Sequence, residues 1–470
     1  MTPIKTKIIA TTGPSTNSYP MLKKMHANGM DVVRLNMSHA THKEAALIID
    51  HVNQLNKLQS NRFGPLGILL DTQGPEIRTG ISNQDIDLKV GDIVNLTIRD
   101  DVDVETSSIK INYKGLIKSV SKGSKITIDN GLMNFKVLAK DKENLRCRVL
   151  DGGTLGSKRH VNLPGVRVDL PSITKKDKKD IAFAIKNNVP FIALSFVRSP
   201  SDVMELRAIL KRNKSSAKII AKIENQEGLD NIHDITKAAD IIMVARGDLG
   251  IETNLADLPN IQRRIMYSTA KWGKRSIVAT HLLESMIAHP APTRAEVTDV
   301  ANAIYEGADA VMLSGETSVG QYPLKCLQML KNIASKTEQY RTLGYEEHLT
   351  VDSDWQNIAL GARDLAERIK ADGILVITRS GQTANVISNT KPFRMPIYAF
   401  TNNQETYHHL SLIGGIQAKF IKSIRNQAQT ILKIKAELHK TIKPRKNLKF
   451  VLISGLYSES HTDSIQVIKI

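Results

Sequence analysis

Short apolar runs recur along the first two thirds of the chain, at 7–11, 31–35, 67–70, 191–196, 218–223, 241–245, 276–279 and 310–313. Each is followed by a polar or glycine-containing loop and then by a helical pattern. Runs that are apolar throughout, rather than alternating, indicate parallel strands covered on both faces. Eight strand–helix units in this order predict a TIM (β/α)8 barrel, with the functional groups at the C-terminal ends of the strands. The helices between them are legible too. One is predicted over 201–211 after a Ser-Pro start. Another follows Thr293, which stands at capping-box spacing from Glu296, and ends at Gly307 just before the eighth run.

The spacing breaks once. About a hundred residues separate the third run from the fourth, and there the pattern changes to alternation at 93–98, 126–128 and 145–149. Turn signals accompany it: Lys89-Val90-Gly91-Asp92, Asp129-Asn130-Gly131 and Asp151-Gly152-Gly153. This predicts a small β-barrel domain inserted at 75–168, on the functional face, where it can act as a lid. The barrel then occupies 1–74 and 169–343. Beyond it, apolar runs at 373–378, 397–400 and 450–453 alternate with helical patterns, predicting a C-terminal α/β domain over 344–470.

Composition changes this picture little. A formal net charge of +18 on 470 residues permits a nucleic-acid or membrane partner. Yet the late basic residues (Lys433, Lys435, Lys440, Lys443, Arg445, Lys446, Lys449) are not interleaved with aromatics, which make up only 4%. A single-strand platform needs that interleaving, so most of the charge is read as a solvated excess of lysine. Cys147 and Cys326 lie too far apart in sequence for a metal motif and are read as buried hydrophobes. No leader or membrane-length apolar run is evident, so a soluble cytoplasmic protein is expected.

The strand ends carry the chemistry. Strand two ends in Arg34-Leu35-Asn36-Met37-Ser38-His39, with Arg34, Asn36 and Ser38 on one face. Strand three runs into Asp71-Thr72-Gln73-Gly74-Pro75-Glu76-Ile77-Arg78. Its Asp71 and Thr72 join Asn36 and Ser38 as oxygen donors suited to a hard cation, and the Arg78 fork suits a phosphate. Lys222 and Glu224 share a face at the end of strand five. Asp248, in Arg246-Gly247-Asp248-Leu249-Gly250 after strand six, completes a two-carboxylate site of the magnesium type. Thr280 follows strand seven and Ser314-Gly315-Glu316-Thr317 strand eight. Two acids, a lysine, two arginines and a nest of oxygens are the equipment of phosphoryl transfer. There is no Walker loop, protein-kinase signature or nucleophile triad. A metal-dependent lyase or aldolase on a similar barrel, and a non-catalytic binding protein, are the competing readings.

These segments resemble pyruvate kinase over essentially the whole chain. Carrying the resemblance are Thr12-Gly13-Pro14-Ser15, 34–39, 71–80, Val161-Asn162-Leu163-Pro164-Gly165, Lys222-Ile223-Glu224-Asn225, 243–250, Leu283-Glu284-Ser285-Met286, 292–302 and 312–317. It implies transfer of a phosphoryl group from phosphoenolpyruvate to ADP. Arg34, Lys222 and Thr280 would be catalytic, and Arg34, Lys222, Gly247, Asp248 and Thr280 would bind substrate. Asn36, Arg78, Arg159 and Lys176 would meet the nucleotide. Glu224 and Asp248 would hold Mg2+ or Mn2+, and Asn36, Ser38, Asp71 and Thr72 would hold K+, a dependence that Glu76 also implies. A homotetramer is implied, with no nucleic-acid or membrane partner.

The chain departs from the family at His281, where Gln is usual, and at Lys158-Arg159-His160, where a Lys-Gly pair is typical. The loop 378–383 resembles the family's effector-phosphate loop and implies a phosphorylated effector. The second effector loop, 455–463, has lost its later glycines, and its Glu459 opposes a phosphate; a degenerate site serving only assembly is the alternative.

Overall fold

The computed structural model describes residues 4–58, 64–105, 107–422, 427–441, 447–454 and 464–470. Eight parallel strands close into a barrel: β1 (Lys7–Thr11), β2 (Val32–Asn36), β3 (Gly67–Asp71), β4 (Phe191–Leu194), β5 (Lys218–Ile223), β6 (Ile241–Ala245), β7 (Arg275–Ala279) and β8 (Ala310–Leu313). Each pairs with its neighbour in sequence and β8 returns to β1. All eight expected runs are therefore strands, with ends shifted by at most two residues.

The closed sheet explains why the runs are apolar throughout. Alternate residues, among them Ile9, Val32, Leu69, Phe191, Ala193, Ile220, Met243 and Ile277, pack together inside the barrel. Their neighbours Ile8, Val33, Leu70, Ile192 and Ile219 join the larger core under the helices. The register then dictates the mouth. Two positions beyond the inward Val32, Leu69, Ala193 and Ile220 stand Arg34, Asp71, Ser195 and Lys222, so one period-two step carries each strand from apolar lining to polar rim.

The helices follow their end signals. Pro200–Arg212 covers the expected 201–211. Arg294–Tyr305 begins at the Thr293–Glu296 capping box, and Gly307 just beyond its end is left-handed at φ 82°.

Between β3 and β4 the chain leaves the barrel at Gly74, whose φ is 75°. A Cβ there would stand 2.8 Å from the Ser195 side chain, so only glycine turns here without displacing the mouth. The inserted segment forms a seven-stranded, mostly antiparallel sheet and a separate two-stranded piece, Ile86–Leu88 with Gly153–Leu155. Its own core includes Leu96, Ile126, Phe135, Val137, Leu145 and Cys147. Among the described residues the first and last strands of that sheet do not pair. Residues 77–82 close the ring between them. On one side Val161 N–H bonds Ile77 O at 2.8 Å and Thr79 N–H bonds Arg159 O at 2.9 Å. On the other, Gly80 N–H bonds Lys110 O at 2.9 Å and Val104 N–H bonds Ile81 O at 3.0 Å, so the insertion closes as the expected small barrel. The hairpin at Asp129-Asn130-Gly131 is present, with all three residues left-handed.

The C-terminal sheet has β9 (Gly373–Ile377), β10 (Ile397–Thr401), β11 (Ile416–Phe420), β12 (Lys449–Ser454) and β13 (Ser464–Lys469), in the order β11-β10-β9-β12-β13. β13 is antiparallel to β12 and the others are parallel. Three of these strands are the expected ones. β11 and β13 come from half-polar runs whose apolar residues find partners only in the sheet.

Both cysteines are buried, Cys147 in the insertion's core and Cys326 in the barrel's, and burial pushes each thiol up to about 12. Among the described residues no helix is long and apolar enough to cross a membrane.

Candidate active site

At the C-terminal mouth of the barrel, under the insertion, lies a cleft of about 560 Å3. Arg34, Asn36, Ser38, Thr72, Glu76, Arg78, Arg159, Lys222, Glu224 and Asp248 all line it. Residues from five barrel segments and the insertion thus meet in one place.

Its floor is a buried charge network. The Lys222 ammonium stands 2.9 Å from Glu224 Oε1, 3.2 Å from Asp71 Oδ1 and 2.8 Å from Ser195 Oγ. Arg34 donates to the other Asp71 oxygen at 2.8 Å and to Thr11 Oγ1 at 3.0 Å. Asp71 and Glu224 are 0% and 1% exposed, so their charges are sustained by partners rather than by water.

The electrostatics follow from burial and pairing. Burial alone would raise the Asp71 carboxyl, but Lys222 and Arg34 outweigh it and hold it below its ordinary value. Burial would likewise lower Lys222, and Asp71 and Glu224 reverse this and raise it. Glu224 is pushed up to about 7 by burial, against Lys222 and with help from Asp248. Asp248 is raised as well, first by burial and then by Glu76 and Asp71, with Lys222 opposing. Two cations, Arg34 and Lys222, face three carboxylates, and the uncompensated negative charge falls on Glu224 and Asp248.

That donor set fits a divalent cation. Among the described residues no group of three or more His, Cys, Asp or Glu is arranged around a common metal position. A cation here would take its remaining ligands from substrate and water, the habit of Mg2+ rather than of a protein-caged metal. Beside it, Asn36, Ser38 and Thr72 offer neutral oxygens next to Asp71, which suits a hard monovalent ion.

Thr280 does not line the cleft itself. Its Oγ1 accepts the Gly247 N–H at 2.7 Å and donates to Ala279 O at 2.6 Å, next to Asp248. Thr280 and His281 are both left-handed, at φ 67° and 54°, a conformation that costs a β-branched residue and that clusters at functional sites. The His281 ring packs over Gly247 and is more than half exposed, 3.8 Å from Glu284. At Gly247 a Cβ would meet nothing nearer than 3.6 Å. Packing does not demand glycine there, whereas close approach of a ligand would.

On the insertion side, Arg78 is held by Glu76 at 2.7 Å and by the Lys158 carbonyl at 2.9 Å. Arg159 lies 3.4 Å from Asp129. Lys176 is placed differently from expectation. Its ammonium is bonded to the Met37 carbonyl at 2.6 Å and to Asp180 at 2.7 Å, outside the cleft. The Asp180 carboxylate is buried, while the Lys176 side chain remains 45% exposed.

Ser195 and Phe196 escape the strand-end reading, which passes over β4. Phe196, left-handed at φ 53°, aims its N–H at Glu224 Oε2 (2.5 Å), while Ser195 anchors Lys222. The serine directly after an apolar run was the available signal. His160 also lines the cleft, near the Phe196 ring.

In the C-terminal unit, Thr378 Oγ1 accepts the N–H of the left-handed Gly381, and the helix Gln382–Asn389 starts there. The second effector loop, 455–463 with Glu459, lies outside the described residues.

Comparison with known proteins agrees with this geometry. The family model described as pyruvate kinase, barrel domain, matches residues 4–327, and that described as pyruvate kinase, alpha/beta domain, matches 356–468. A Staphylococcus aureus (strain MRSA252) pyruvate kinase is 41% identical over 435 residues, covering 91% of this chain and 73% of that protein. A Staphylococcus epidermidis pyruvate kinase is 42% identical over 419 residues, covering 88% and 71%.

Proposed function

From the premise that the chain belongs to the pyruvate kinase family, a family of glycolytic phosphotransferases, we propose a division of labour among the residues of its barrel mouth. The reaction moves the phosphoryl group of phosphoenolpyruvate to ADP, giving pyruvate and ATP. The observation that carries the assignment is the convergence of Arg34, Asp71, Lys222, Glu224 and Asp248 on one buried floor beneath the insertion.

Arg34 and Lys222 bind the phosphoryl group of phosphoenolpyruvate. Lys222, with its positive charge secured by Asp71 and Glu224, neutralises charge on the transferring group and then on the enolate oxygen. Glu224 and Asp248 hold Mg2+ or Mn2+. That ion, when bound, supplies charge neutralisation across the phosphates and the enolate. Asn36, Ser38, Asp71 and Thr72 hold K+. The Gly247 backbone and Asp248 border the carboxylate end of the substrate, and Thr280 lies on the route of the proton that converts enolate to pyruvate. Arg78, Arg159 and Asn36 meet the nucleotide; Lys176, tied to Asp180, has no part in this assignment.

The domain limits proposed are 1–74 with 169–343, 75–168, and 344–470, supported by separate cores in the three units. The insertion closes over the mouth and excludes water. A cytoplasmic homotetramer and a phosphorylated effector at 378–383 complete the reading.

The test is a coupled pyruvate assay. Pyruvate should form only when phosphoenolpyruvate, ADP, a divalent ion and K+ are all present. Turnover without ADP would favour a lyase. Unchanged turnover with Na+ in place of K+ would remove the monovalent site. A panel of sugar phosphates and AMP in the same assay tests the effector.

A further inference from the structure

The helix Arg246–Glu252 carries Gly247 and Asp248 at its start and Glu252 as its last residue. Glu252 does not face the mouth cleft. It points to the returning root of the insertion, where Asn162 Nδ2 donates to Glu252 Oε1 at 2.7 Å. Asn162 is only 2% exposed and sits in the strand Val161–Asn162, paired with Thr127. The preceding Val161 N–H bonds Ile77 O at 2.8 Å. The outgoing and returning connections of the insertion are therefore tied together one residue from the Asn162 that Glu252 holds.

Close apolar packing does not account for this contact. Beside it a second cleft of about 550 Å3 remains, lined by Ile77, Leu163, Val168, Phe196, Asn162 and Glu252. An aliphatic side chain would fill such a gap at lower cost than an acid. Burying a carboxylate is unfavourable unless donors replace its water, and burial pushes Glu252 up to about 7 against the bond from Asn162 and the nearby Leu163 N–H. A carboxylate has one advantage over an apolar contact: when the insertion swings away, it rehydrates without penalty. Charge-assisted bonds are strong and directional when made, so the pair holds one geometry and still releases.

We propose that Glu252 is a positioning residue for the reaction, fixing through Asn162 where the insertion stands over the mouth and coupling that placement to the helix bearing Gly247 and Asp248. This rests on the active-site reading above. Arg78 and Arg159 ride on the insertion side, whereas Arg34 and Lys222 belong to the barrel floor. Loss of the clamp should therefore disturb the nucleotide more than phosphoenolpyruvate.

The experiment is steady-state kinetics with thermal melting on the full chain carrying Glu252→Ala, Asn162→Ala, both together, or Glu252→Gln. In the unaltered chain the same assay first reads pyruvate formation, and its absence there would sink the active-site reading rather than the clamp. With Glu252→Ala, kcat/KM for ADP should fall about tenfold or more, while KM for phosphoenolpyruvate stays within about twofold. The double variant should be no more than about twofold worse than Glu252→Ala. Glu252→Gln, which keeps an acceptor for Asn162, should recover most of the loss. Equal effects on both substrates, additive losses, or a loss that follows a fall in Tm would overturn the proposal. If Glu252→Ala does not fold, Asn162→Ala and Glu252→Gln decide it by the same split between substrates.

Discussion

Lys222 shows how a single side chain draws its properties from its surroundings. An isolated buried ammonium would lose its charge, but this one lies within 3.2 Å of two carboxylates and keeps it. A cation fixed before the substrate arrives needs no reorganisation as charge develops on the phosphoryl group and enolate. Lys222→Met should therefore lower kcat by about a thousandfold, with KM for phosphoenolpyruvate changed far less. Turnover near that of the unaltered chain would show that Lys222 only pairs with Asp71 and Glu224. Phe196, Thr280 and His281 add backbone strain of about 1–3 kcal/mol each. All three lie directly beyond strand ends, where β4 and β7 turn their groups toward the mouth.

Among the elements, the helix Arg294–Tyr305 ties the barrel wall to the loop after β7. Glu296 closes the capping box with Thr293 and also accepts from Ser285 N at 2.7 Å and Ser285 Oγ at 2.5 Å. Burial would raise its carboxyl, but the bonds from Ser285 and Thr293 outweigh it and hold it below the ordinary value. A depressed carboxylate contributes stability that is present above its unfolded value and lost as pH falls through the folded one. Glu296→Gln should thus destabilise the chain at pH 7 by about 1 kcal/mol, a difference that shrinks in acid melts below about pH 4.5. A difference independent of pH would mean that the ionised form is not what these donors stabilise.

Over the whole molecule, polar links join the barrel to the C-terminal unit, among them Lys7 Nζ to Ile416 O and Asn389 Nδ2 to Gly273 O. Asp309, buried at the start of β8, takes Arg275 at 3.0 Å, Lys391 at 2.6 Å and the Ser276 N–H at 2.9 Å. Arg275 also donates to Ser388 Oγ at 2.8 Å, so the barrel's lower rim is bound to the C-terminal unit through charge. Removing one partner strands the others without water, at a cost of about 3–5 kcal/mol. Asp309→Ala should lower the melting temperature and split calorimetric unfolding into separate steps. A single cooperative transition at unchanged temperature would show that apolar contacts alone hold the units together.

The barrel and most of its mouth were legible along the chain because both depend on short-range rules. Apolar runs mark strands buried on both sides, and period-two spacing aims Arg34, Asp71 and Lys222 to one side of them. The turn residues before the insertion and the capping box at Thr293 are equally local. Pairings between distant segments were not legible. Ser195 becomes an anchor only because β4 lies beside β3 and β5. Lys176 meets Asp180 and the Met37 carbonyl, and Glu252 meets Asn162 across 90 residues. The closure of the insertion through residues 77–82 and the strands β11 and β13 likewise depend on which neighbours are in reach. By itself the sequence determined which groups stand at the strand ends and hence the class of chemistry. The tertiary structure alone decided which of those groups meet, since hydrogen bonds and ion pairs act over a few ångströms of space whatever their separation along the chain.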